Sequence, residues 1–304
     1  MTDVSLVIPT KNGAPYLERC LEGIYHQKCD YELKVIVIDS GSTDGTLDIA
    51  RRYGATVRVI PPNRFTHGRA RNLGVSIFKC RYLVFCNQDV VPANEHWLQA
   101  LVQPLEQPII GAAYSRQIAP PDTALHERLF LQRHYPPLSR INTCKMLTQR
   151  GPMEMVLFST VSGAMKREVW ERYRFNEKIV ISEDQEIACR ILMSGYVIIY
   201  AANSVVYHAN KYTLLTAFQR YFDSGWSLSN TPLLRVSSLS KSISYVTSYS
   251  AEILRERSCK ISERFLGLGY LFAKVAGFTL GQLAPYMPDN MRTRLSYTRN
   301  LIGV

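Results

Sequence analysis

The sequence has no charge-free apolar segment long enough to cross a bilayer. Its longest uncharged stretch, Ile191–Asn210, is interrupted by serine, asparagine, histidine and glycine. A membrane-spanning helix needs about 20 consecutive, predominantly apolar residues, so we expect no transmembrane segment. An apolar, strand-like run also begins almost at the first residue. We therefore expect no signal peptide either.

Cysteine pairs of the C-x-x-C type are also absent. The seven cysteines are an odd number. Several of them, such as Cys86, lie inside apolar segments, where a thiol behaves as a small hydrophobic group. This usage is typical of a reduced compartment and not of a disulfide-bonded secreted protein. We therefore expect a cytosolic protein.

Acidic residues are too few to balance the basic ones, and the formal net charge is +11. The segment from Thr231 to Val304 has ten Lys or Arg against four Asp or Glu, and so contributes +6 of that total. A basic excess suits nucleic acid, anionic lipid or phosphorylated substrates. Because basic and aromatic residues do not alternate regularly, nucleic acid ranks last among these partners.

Apolar runs alternate with helical patterns in the first part of the chain, which is typical of a doubly wound, mostly parallel α/β sheet of the Rossmann-like class. Its 304 residues are enough for one large domain with a smaller appendage. The predicted strands are Ser5–Ile8, Leu33–Ile38, Thr56–Ile60 and Tyr82–Cys86. The predicted helices are Tyr16–Tyr25, Thr46–Tyr53, Arg69–Phe78 and Asn94–Leu105.

The second part of the chain is less regular. Pro120–Pro152, with two Pro-Pro pairs, predicts a long irregular region that lines or covers a substrate groove. A helix is predicted over Asp184–Met193, strands over Tyr196–Tyr200 and Val205–His208, and helices from Tyr212 onward. A break near Asn230 divides a domain of residues 1–230 from a helical extension of residues 231–304.

Two apolar runs each end in a carboxylate, Asp39 in one and Asp89 in the other. In open α/β sheets the ligand crevice lies just beyond the carboxyl ends of the strands. Asp39 suits a nucleotide base or ribose, whereas Asp44 suits the cap of the next helix. Asp89 suits Mg²⁺ or Mn²⁺, since these ions take carboxylate and phosphate oxygens. No G-x-G-x-x-G follows the early strands, which argues against a dehydrogenase-type dinucleotide fold.

Three further features are candidates for chemistry. Residues 67–72 open a helix with Arg69 and Arg71, a pattern that favours phosphate, although a solvated basic turn is the simpler alternative for either arginine alone. Residues 182–186 have three acids at a helix start, which suit the helix dipole or include a general base. We select Asp184 as that base and Glu183 as the neighbour that orients it. His208, at a strand end, suits a cation site with Asp89.

These pieces resemble the signatures of inverting nucleotide-sugar glycosyltransferases of family 2, which have the A-type (GT-A) α/β fold. The resemblance covers roughly residues 3–225 and rests on Val-Ile-Pro-Thr-Lys-Asn-Gly at 7–13, Ile-Asp-Ser-Gly-Ser-Thr-Asp-Gly-Thr at 38–46 and Ser-Glu-Asp at 182–184. Within the family, residues 87–92, 111–117 and 220–225 are most similar to bacterial rhamnosyltransferases, which build O-antigen and other surface polysaccharides from dTDP-L-rhamnose.

The resemblance implies a role for each matching residue. Asp184 would be the base, Asp89 and His208 would bind Mg²⁺ or Mn²⁺, and Asp39 would contact the pyrimidine. The whole nucleotide-binding set is predicted to be Pro9, Thr10, Asp39, Arg69, Arg71, Asn72 and Gln88. Two departures concern the metal site, since Asn87 stands where many relatives have Asp and Asn210 where close relatives often have His.

The partners that follow are a dTDP- or UDP-sugar donor and a saccharide or polyprenyl-diphosphate-linked acceptor. Apolar and basic residues from Leu239 to Val304 suit a helix lying on an anionic membrane, at the inner face of the plasma membrane. These helices could instead pack on the catalytic domain or form a homodimer contact. Two rival functions stay open: a metal-dependent nucleotidyltransferase and a catalytically inactive sugar-binding scaffold.

Overall fold

The structure is a computed structural model that describes residues 3–149, 151, 153–154, 156–234 and 239–298, with only the backbone for 239–241. Within these ranges, no helix is both long enough and apolar enough to span a membrane. All seven cysteines are free thiols.

Nine strands of the described residues form one mixed sheet with the order β3-β2-β1-β4-β8-β6-β9-β5, and β7 also pairs with β9. They are β1 Val4–Thr10, β2 Leu33–Asp39, β3 Thr56–Val59, β4 Tyr82–Cys86, β5 Val91–Pro92, β6 Ile110–Ile118, β7 Arg140–Asn142, β8 Ser162–Lys166 and β9 Val197–Tyr207. Strands β1 to β4 are parallel. Strand β8 runs antiparallel between β4 and β6, and β6 is parallel to β9.

Helices cover both faces of this sheet. They are α1 Ala14–Tyr25, α2 Thr46–Arg52, α3 His67–Ile77, α4 Trp97–Val102, α5 Leu125–His134, α6 Cys144–Gln149, α7 Arg167–Tyr173, α8 Glu183–Met193, α9 Leu214–Leu228, α10 Leu239–Arg255, α11 Ile261–Gln282 and α12 Asp289–Leu295. Short 3₁₀ helices span Pro62–Arg64, Gln103–Glu106, Pro232–Leu234 and Ala284–Tyr286.

Strand β1 shows why the sheet is covered on both sides. Its side chains alternate between the two faces, as in any strand. Leu6 and Ile8 pack with Leu17 of α1, whereas Val7 packs on the other face with Val75 of α3. Because both faces are buried, an uninterrupted apolar run is the expected sequence for this strand.

The predicted α/β architecture with a mostly parallel first half is confirmed, and β1 to β4 lie within two residues of their predicted limits. The two strands predicted at 196–200 and 205–208 are one strand, β9, whose pairing with β6 shifts register at Ser115 and Arg116. Strands β6 and β8 were not predicted, because Gly, Ala and Ser dilute their apolar pattern.

The prediction of a long irregular region over 120–152 is wrong, because α5, β7 and α6 lie within it. Helix α5 is packed between β6 and α11, and its buried residues include Leu125, Glu127 and Leu131. Their spacing follows no single helical stripe, so the usual amphipathic signal is absent. The two Pro-Pro pairs bound this helix instead of marking a loop throughout.

Helix α11 packs against α9 at backbone distance. A Cβ at Gly277 would overlap the carbonyl oxygen of Phe218, and one at Gly281 would overlap that of Phe222. On the facing helix, a Cβ at Gly225 would overlap the carbonyl oxygen of Phe278. Glycines spaced in this way let two helices approach until their backbones touch. The C-terminal helices are therefore joined to the rest of the protein through glycine contacts.

We expect Gly277→Ala to destabilise the protein. The added methyl group has no space against Phe218, so α9 and α11 must separate, and overpacking of this kind costs about 1–3 kcal/mol. Chemical denaturation, monitored by circular dichroism, measures the change. Gly269→Ala is the matched control on the same helix, since its Cβ would make ordinary contact with Leu214 at 3.5 Å. Equal stabilities for the two variants would contradict the proposed close contact.

Candidate active site

A cavity of about 1700 Å³ opens at the carboxyl edge of the sheet. Its wall includes Thr10 after β1, Ser40 after β2, Asp89 after β4 and His208 after β9. The N-terminus of α3 and residues of α5, α9 and α11 complete the wall. Segments far apart in the chain therefore meet at one cavity, at the edge where open α/β sheets bind ligands.

Asp39 organises the floor of the nucleotide side. Its carboxylate is fully buried and accepts hydrogen bonds from the backbone N–H groups of Gly41 and Ser42 and from the hydroxyls of Thr10 and Ser42. Pro9 and Thr10 line the cavity, whereas Asp39 lies behind them. Since Asp39 is buried, a direct contact with a base would require the loop at Gly41 and Ser42 to open. This contact stays a prediction.

Gln88 connects the loops that follow β1 and β4. Its amide exchanges two hydrogen bonds with the backbone of Lys11, at 3.1 and 3.2 Å. A Cβ at Gly13 would overlap the Gln88 side chain, so glycine leaves room for this contact. Lys11 and Gln88 both line the cavity, where Lys11 adds a positive charge that was not predicted as part of the site.

The predicted cation ligands lie next to each other. His208 is buried, and its Nε2 is 3.7 Å from Oδ2 of Asp89, which is 40% exposed to the cavity. Gln117 donates its amide N–H groups to Tyr135 and Ser159, so its Oε1 faces Nδ1 of His208 at 2.9 Å. An amide oxygen only accepts, so Nδ1 has the proton, and in the neutral ring Nε2 has the lone pair.

This arrangement fits a divalent cation. The Nε2 lone pair and the Asp89 carboxylate are two acceptors facing each other, and a positive charge between them removes their repulsion. Imidazole and carboxylate are both ligands for Mn²⁺, and Mg²⁺ commonly takes one carboxylate together with phosphate oxygens and water. The part of the chain that is described contains no group of three or more protein ligands, so the rest of the shell would come from substrate and solvent.

Arg71 joins the helix start at 182–186 to the end of β4. Its side chain is 2% exposed; Nη1 donates to Oε1 of Glu183 at 2.5 Å and Nη2 to Oδ1 of Asn87 at 3.2 Å. Thr160, just before β8, also donates to Oε1 of Glu183. Glu183 therefore anchors the first turn of α8, in agreement with an orienting role.

Asp184 is partly buried at the start of α8. Its oxygens accept hydrogen bonds from the backbone N–H groups of Thr160, at 3.3 Å, and Gln185, at 2.8 Å. Burial and, to a lesser degree, the negative charge of Glu183 raise the pKa of Asp184, Arg71 opposes the increase, and the result is a pKa of about 6. Asp184 does not form the cavity wall itself, but Ile181, three residues earlier, does.

Arg69, Arg71 and Asn72, predicted to contact the nucleotide, lie behind the cavity wall. Arg69 pairs with Glu177 at 3.1 Å. The amide oxygen of Asn72 accepts hydrogen bonds from the indole N–H of Trp170 and the backbone N–H of Phe175. Its amide N–H groups donate to the backbone carbonyl of Phe175 and to the carboxylate of Glu177. These bonds join α3 to α7 and the loop after it, which is a structural role. A contact with the nucleotide stays a prediction for all three residues.

Besides Lys11, the cavity is lined by Arg220 and His67, neither of which was assigned a role of its own from the sequence. Arg220 of α9 lies over the rings of Tyr212 and Tyr297, each at 5.4 Å, and forms no ion pair or hydrogen bond with any described residue. His67 begins α3, and its buried Nδ1 has no partner among the described residues. Burial lowers the pKa of His67 to about 4, so this ring is neutral at pH 7. The only signal for Arg220 was its place in the segment 220–225.

The N-terminus of α3 adds a further anion-binding feature. Thr66 caps the helix by accepting a hydrogen bond from the backbone N–H of Arg69. Thr66 and His67 both line the cavity, so the positive end of the helix dipole faces it. Helix N-termini of this kind bind phosphate groups. Of residues 67–72, the helix start thus faces the cavity and the arginine side chains do not, while the phosphate contact stays a prediction.

The comparisons with known proteins agree with this geometry. A sequence model of the family described as Glycosyl transferase family 2 matches residues 5–173. The chain is 32% identical over 228 residues to the O-antigen chain rhamnosyltransferase RfbN of Salmonella typhimurium, covering 73% of this chain and 71% of RfbN. It is 30% identical over 230 residues to the O-antigen chain rhamnosyltransferase WbaN of Salmonella anatum, covering 74% and 72%.

Solved structures share the fold. The mannosyltransferase PcManGT from Pyrobaculum calidifontis, in complex with GDP-Man and Mn²⁺, aligns with a TM-score of 0.55 at 20% identity, covering 100% of this chain and 83% of that one. S. aureus TarS in complex with UDP-GlcNAc aligns with a TM-score of 0.56 at 13% identity, covering 93% and 91%. The GT-A fold is therefore confirmed, and the family match over more than half of the sequence establishes that this chain belongs to glycosyl transferase family 2.

Proposed function

We propose that this glycosyltransferase is metal-dependent and inverting, and that it moves L-rhamnose from dTDP-rhamnose to a growing surface polysaccharide of the O-antigen type. The observation that supports it most directly is the Asp89–His208 pair on the wall of a cavity that Thr10 and Ser40 also line. The two rhamnosyltransferase relatives support the choice of sugar.

The donor would lie along the carboxyl edge of the sheet. Its base and ribose occupy the end formed by Pro9, Thr10 and Ser40, and its diphosphate lies beside Asp89. Arg220 and the N-terminus of α3 face the same cavity and stabilise negative charge there. Arg220 suits this role because its guanidinium is held by two aromatic rings and has no acidic partner among the described residues.

In the proposed reaction, Asp184 takes the proton of the acceptor hydroxyl. The hydroxyl oxygen forms a bond to the anomeric carbon from the face opposite the diphosphate. The bond from that carbon to the phosphate oxygen breaks, and its electron pair leaves with the nucleoside diphosphate. A single displacement of this kind inverts the anomeric carbon. The raised pKa of Asp184 makes it a stronger base than an ordinary carboxylate, while it stays mostly ionised at pH 7.

Asp89 and His208 would hold the divalent cation, Mg²⁺ or Mn²⁺, which supplies positive charge to the leaving diphosphate when bound. Arg220 adds fixed charge on the protein side of that leaving group. Glu183, held by Arg71, keeps the first turn of α8 in place while Asp184 accepts its proton.

We also propose that the protein works at the inner face of the plasma membrane on a lipid-linked acceptor. Ile261, Phe265 and Phe272 lie on one face of α11 and are 67%, 64% and 55% exposed. Lys260 and Arg264 lie at the start of the same helix. Exposed apolar side chains beside basic ones suit an anionic lipid surface.

We expect purified protein to release dTDP from dTDP-rhamnose in a panel of nucleotide sugars, faster than it releases UDP from UDP-sugars, and only with Mg²⁺ or Mn²⁺. Chelation should abolish the release, and added Mn²⁺ should restore it. His208→Ala should raise the Mn²⁺ concentration for half-maximal rate, because one ligand is lost. Release unaffected by chelation would refute the metal assignment. Formation of pyrophosphate from dTTP and a sugar phosphate would identify the protein as the rival nucleotidyltransferase. A protein inactive in both assays would support the sugar-binding scaffold.

We expect Asp184→Asn to lower the rate of transfer by about 10²–10⁴-fold, the usual contribution of a general base. Binding of dTDP, measured by calorimetry, should be unchanged because Asp184 does not form the cavity wall. Glu186→Gln is the matched control, since it removes a carboxylate from the same turn of α8 that pairs with Arg190 outside the cavity. Ordinary turnover by the Asn variant would exclude Asp184 as the base.

The wild-type pH profile is a second readout for the same residue. Asp184 acts in its deprotonated form, so kcat/KM should be full above its pKa and should fall as the pH drops through about 6. An unperturbed carboxylate would keep the activity level down to about pH 4.

We expect the protein to sediment with phosphatidylglycerol vesicles at low salt and to be released as salt is added, since surface charge attraction is screened. Phe265→Ser with Phe272→Ser should weaken binding. Ile109→Ser is the control, because Ile109 is 54% exposed but lies outside the C-terminal helices. Protein that stays in the supernatant at low salt would contradict the membrane proposal.

A further inference from the structure

The contact between α5 and α11 forms part of the cavity wall that the proposed donor site does not use. His126 of α5 stacks on Tyr270 of α11, with ring centroids 3.5 Å apart and planes within 4° of parallel. Both residues line the cavity. Tyr270 is fixed from behind, since its hydroxyl donates to the backbone carbonyl of Tyr212 at 2.6 Å. One face of the His126 ring is thus covered by a rigid aromatic support.

The ring nitrogens of His126 have no hydrogen-bond partner in the part of the chain that the structure describes, although the residue is only partly exposed. Burial and, to a lesser degree, the positive charge of Lys274 lower the pKa of His126 to about 4, so the ring is neutral at pH 7. A neutral imidazole has one N–H donor and one lone pair, which together match a sugar hydroxyl.

A buried ion pair holds this contact in place. Glu127, next to His126, pairs with Lys274 of α11 at 3.6 Å, and both side chains are less than a tenth exposed. Lys274 also lies over the ring of Phe130 at 4.0 Å. Glu127 in turn accepts two hydrogen bonds from Asn210, two residues after His208. The stacked rings are therefore held at a set position relative to the predicted cation ligands.

The position of His126 separates it from the proposed nucleotide end. In the sheet, β1 and β2 lie on one side of β4, and β6 and β9 lie on the other. Thr10 ends β1, and Ser40 follows β2. His126 follows β6, and its neighbour Glu127 accepts hydrogen bonds from Asn210 in the loop after β9. Thr160, the hydrogen-bond partner of Asp184, precedes β8, which lies between β4 and β6. The proposed base thus lies between the nucleotide end and His126.

A cavity of about 1700 Å³ is larger than most single-ligand pockets, which measure about 300–1,000 Å³. Tyr270 and the loop after β9 lie beyond residue 173, where the family match ends. The family match thus does not extend to this part of the wall, and a cavity of this size has room for a second sugar beside the nucleotide.

We propose that His126, supported by Tyr270, forms a subsite for a pyranose ring of the acceptor saccharide. The apolar C–H face of the sugar packs on the exposed face of the His126 ring, whose electron-rich surface attracts it. A sugar hydroxyl pairs with a ring nitrogen of His126. This assignment deepens the proposed function and rests on it, since only a glycosyltransferase acceptor brings a second sugar to this cavity.

The test measures sugar binding and nucleotide binding separately. A panel of octyl glycosides (rhamnoside, galactoside, mannoside and glucoside) is titrated into full-length protein with dTDP and Mn²⁺ present, and saturation-transfer NMR detects the bound ring. We expect His126→Ala to weaken the best-bound glycoside by about tenfold or more, a loss of one stacked contact. The affinities for dTDP and for dTDP-rhamnose should stay within twofold of wild type.

Two further variants keep the outcome interpretable. Tyr270→Phe keeps the ring and should bind the glycoside as wild type does, whereas Tyr270→Ala should resemble His126→Ala. His96→Ala is the control for a histidine outside the cavity. Thermal melts monitored by circular dichroism show whether each variant folds. If Tyr270→Ala does not fold, His126→Ala and Tyr270→Phe are enough to test the proposal.

Three results would overturn the proposal. If His126→Ala weakens the binding of dTDP, the His126 ring belongs to the nucleotide site. If the variant weakens the binding of dTDP-rhamnose but not that of dTDP, the subsite holds the donor sugar. If no glycoside binds wild type, or all variants bind equally, there is no subsite at this wall. Release of dTDP from dTDP-rhamnose without acceptor tests the proposed function independently, so failure of the subsite and failure of the function are distinguishable.

Discussion

A buried guanidinium sets the relative positions of the catalytic elements. Arg71 connects α3 to Glu183 at the start of α8 and to Asn87 at the end of β4. With both charged groups almost fully buried, removal of either partner leaves an unpaired charge in the interior, which costs about 3–5 kcal/mol. Asp184 comes directly after Glu183 in the chain, and Asp89 comes two residues after Asn87. The spacing between the proposed base and the proposed cation site therefore depends on one interior ion pair.

The same guanidinium tunes the proposed base. Burial and the adjacent charge of Glu183 both favour a protonated Asp184 and raise its pKa. Arg71 opposes both effects and leaves the pKa of Asp184 at about 6. A carboxylate in that range is more basic than usual and still ionised at pH 7. The charge of Arg71 thus lowers the pKa of the proposed base, while the contact of Arg71 with the nucleotide stays a prediction.

The sequence predicts the first half of the sheet and the acids at its edge, because buried parallel strands such as β1 and β4 have continuous apolar runs that end sharply at Thr10 and Asn87. It does not predict α5, whose buried surfaces face β6 and α11 at once. Nor does it separate residues that line the cavity from those behind it. Arg69 and Arg220 look alike in sequence, but Arg69 pairs with Glu177, whereas Arg220 lies over two aromatic rings and has no acidic partner among the described residues.

The two departures from the expected metal motif have structural explanations. Asn87 accepts a hydrogen bond from Arg71 through its neutral amide oxygen; an Asp there would compete with Glu183 for the same guanidinium. Asn210 donates both its backbone and its side-chain N–H to Glu127, which pairs with Lys274 of α11. An imidazole in this place would change the hydrogen bonds that hold the loop after β9. The proposed cation ligands are thereby reduced to Asp89 and His208, while Asn87 and Asn210 contact residues that lead to α3 and α11. Helix α11, which also touches α9 through its glycines, is consequently part of the active-site architecture as well as the candidate membrane surface.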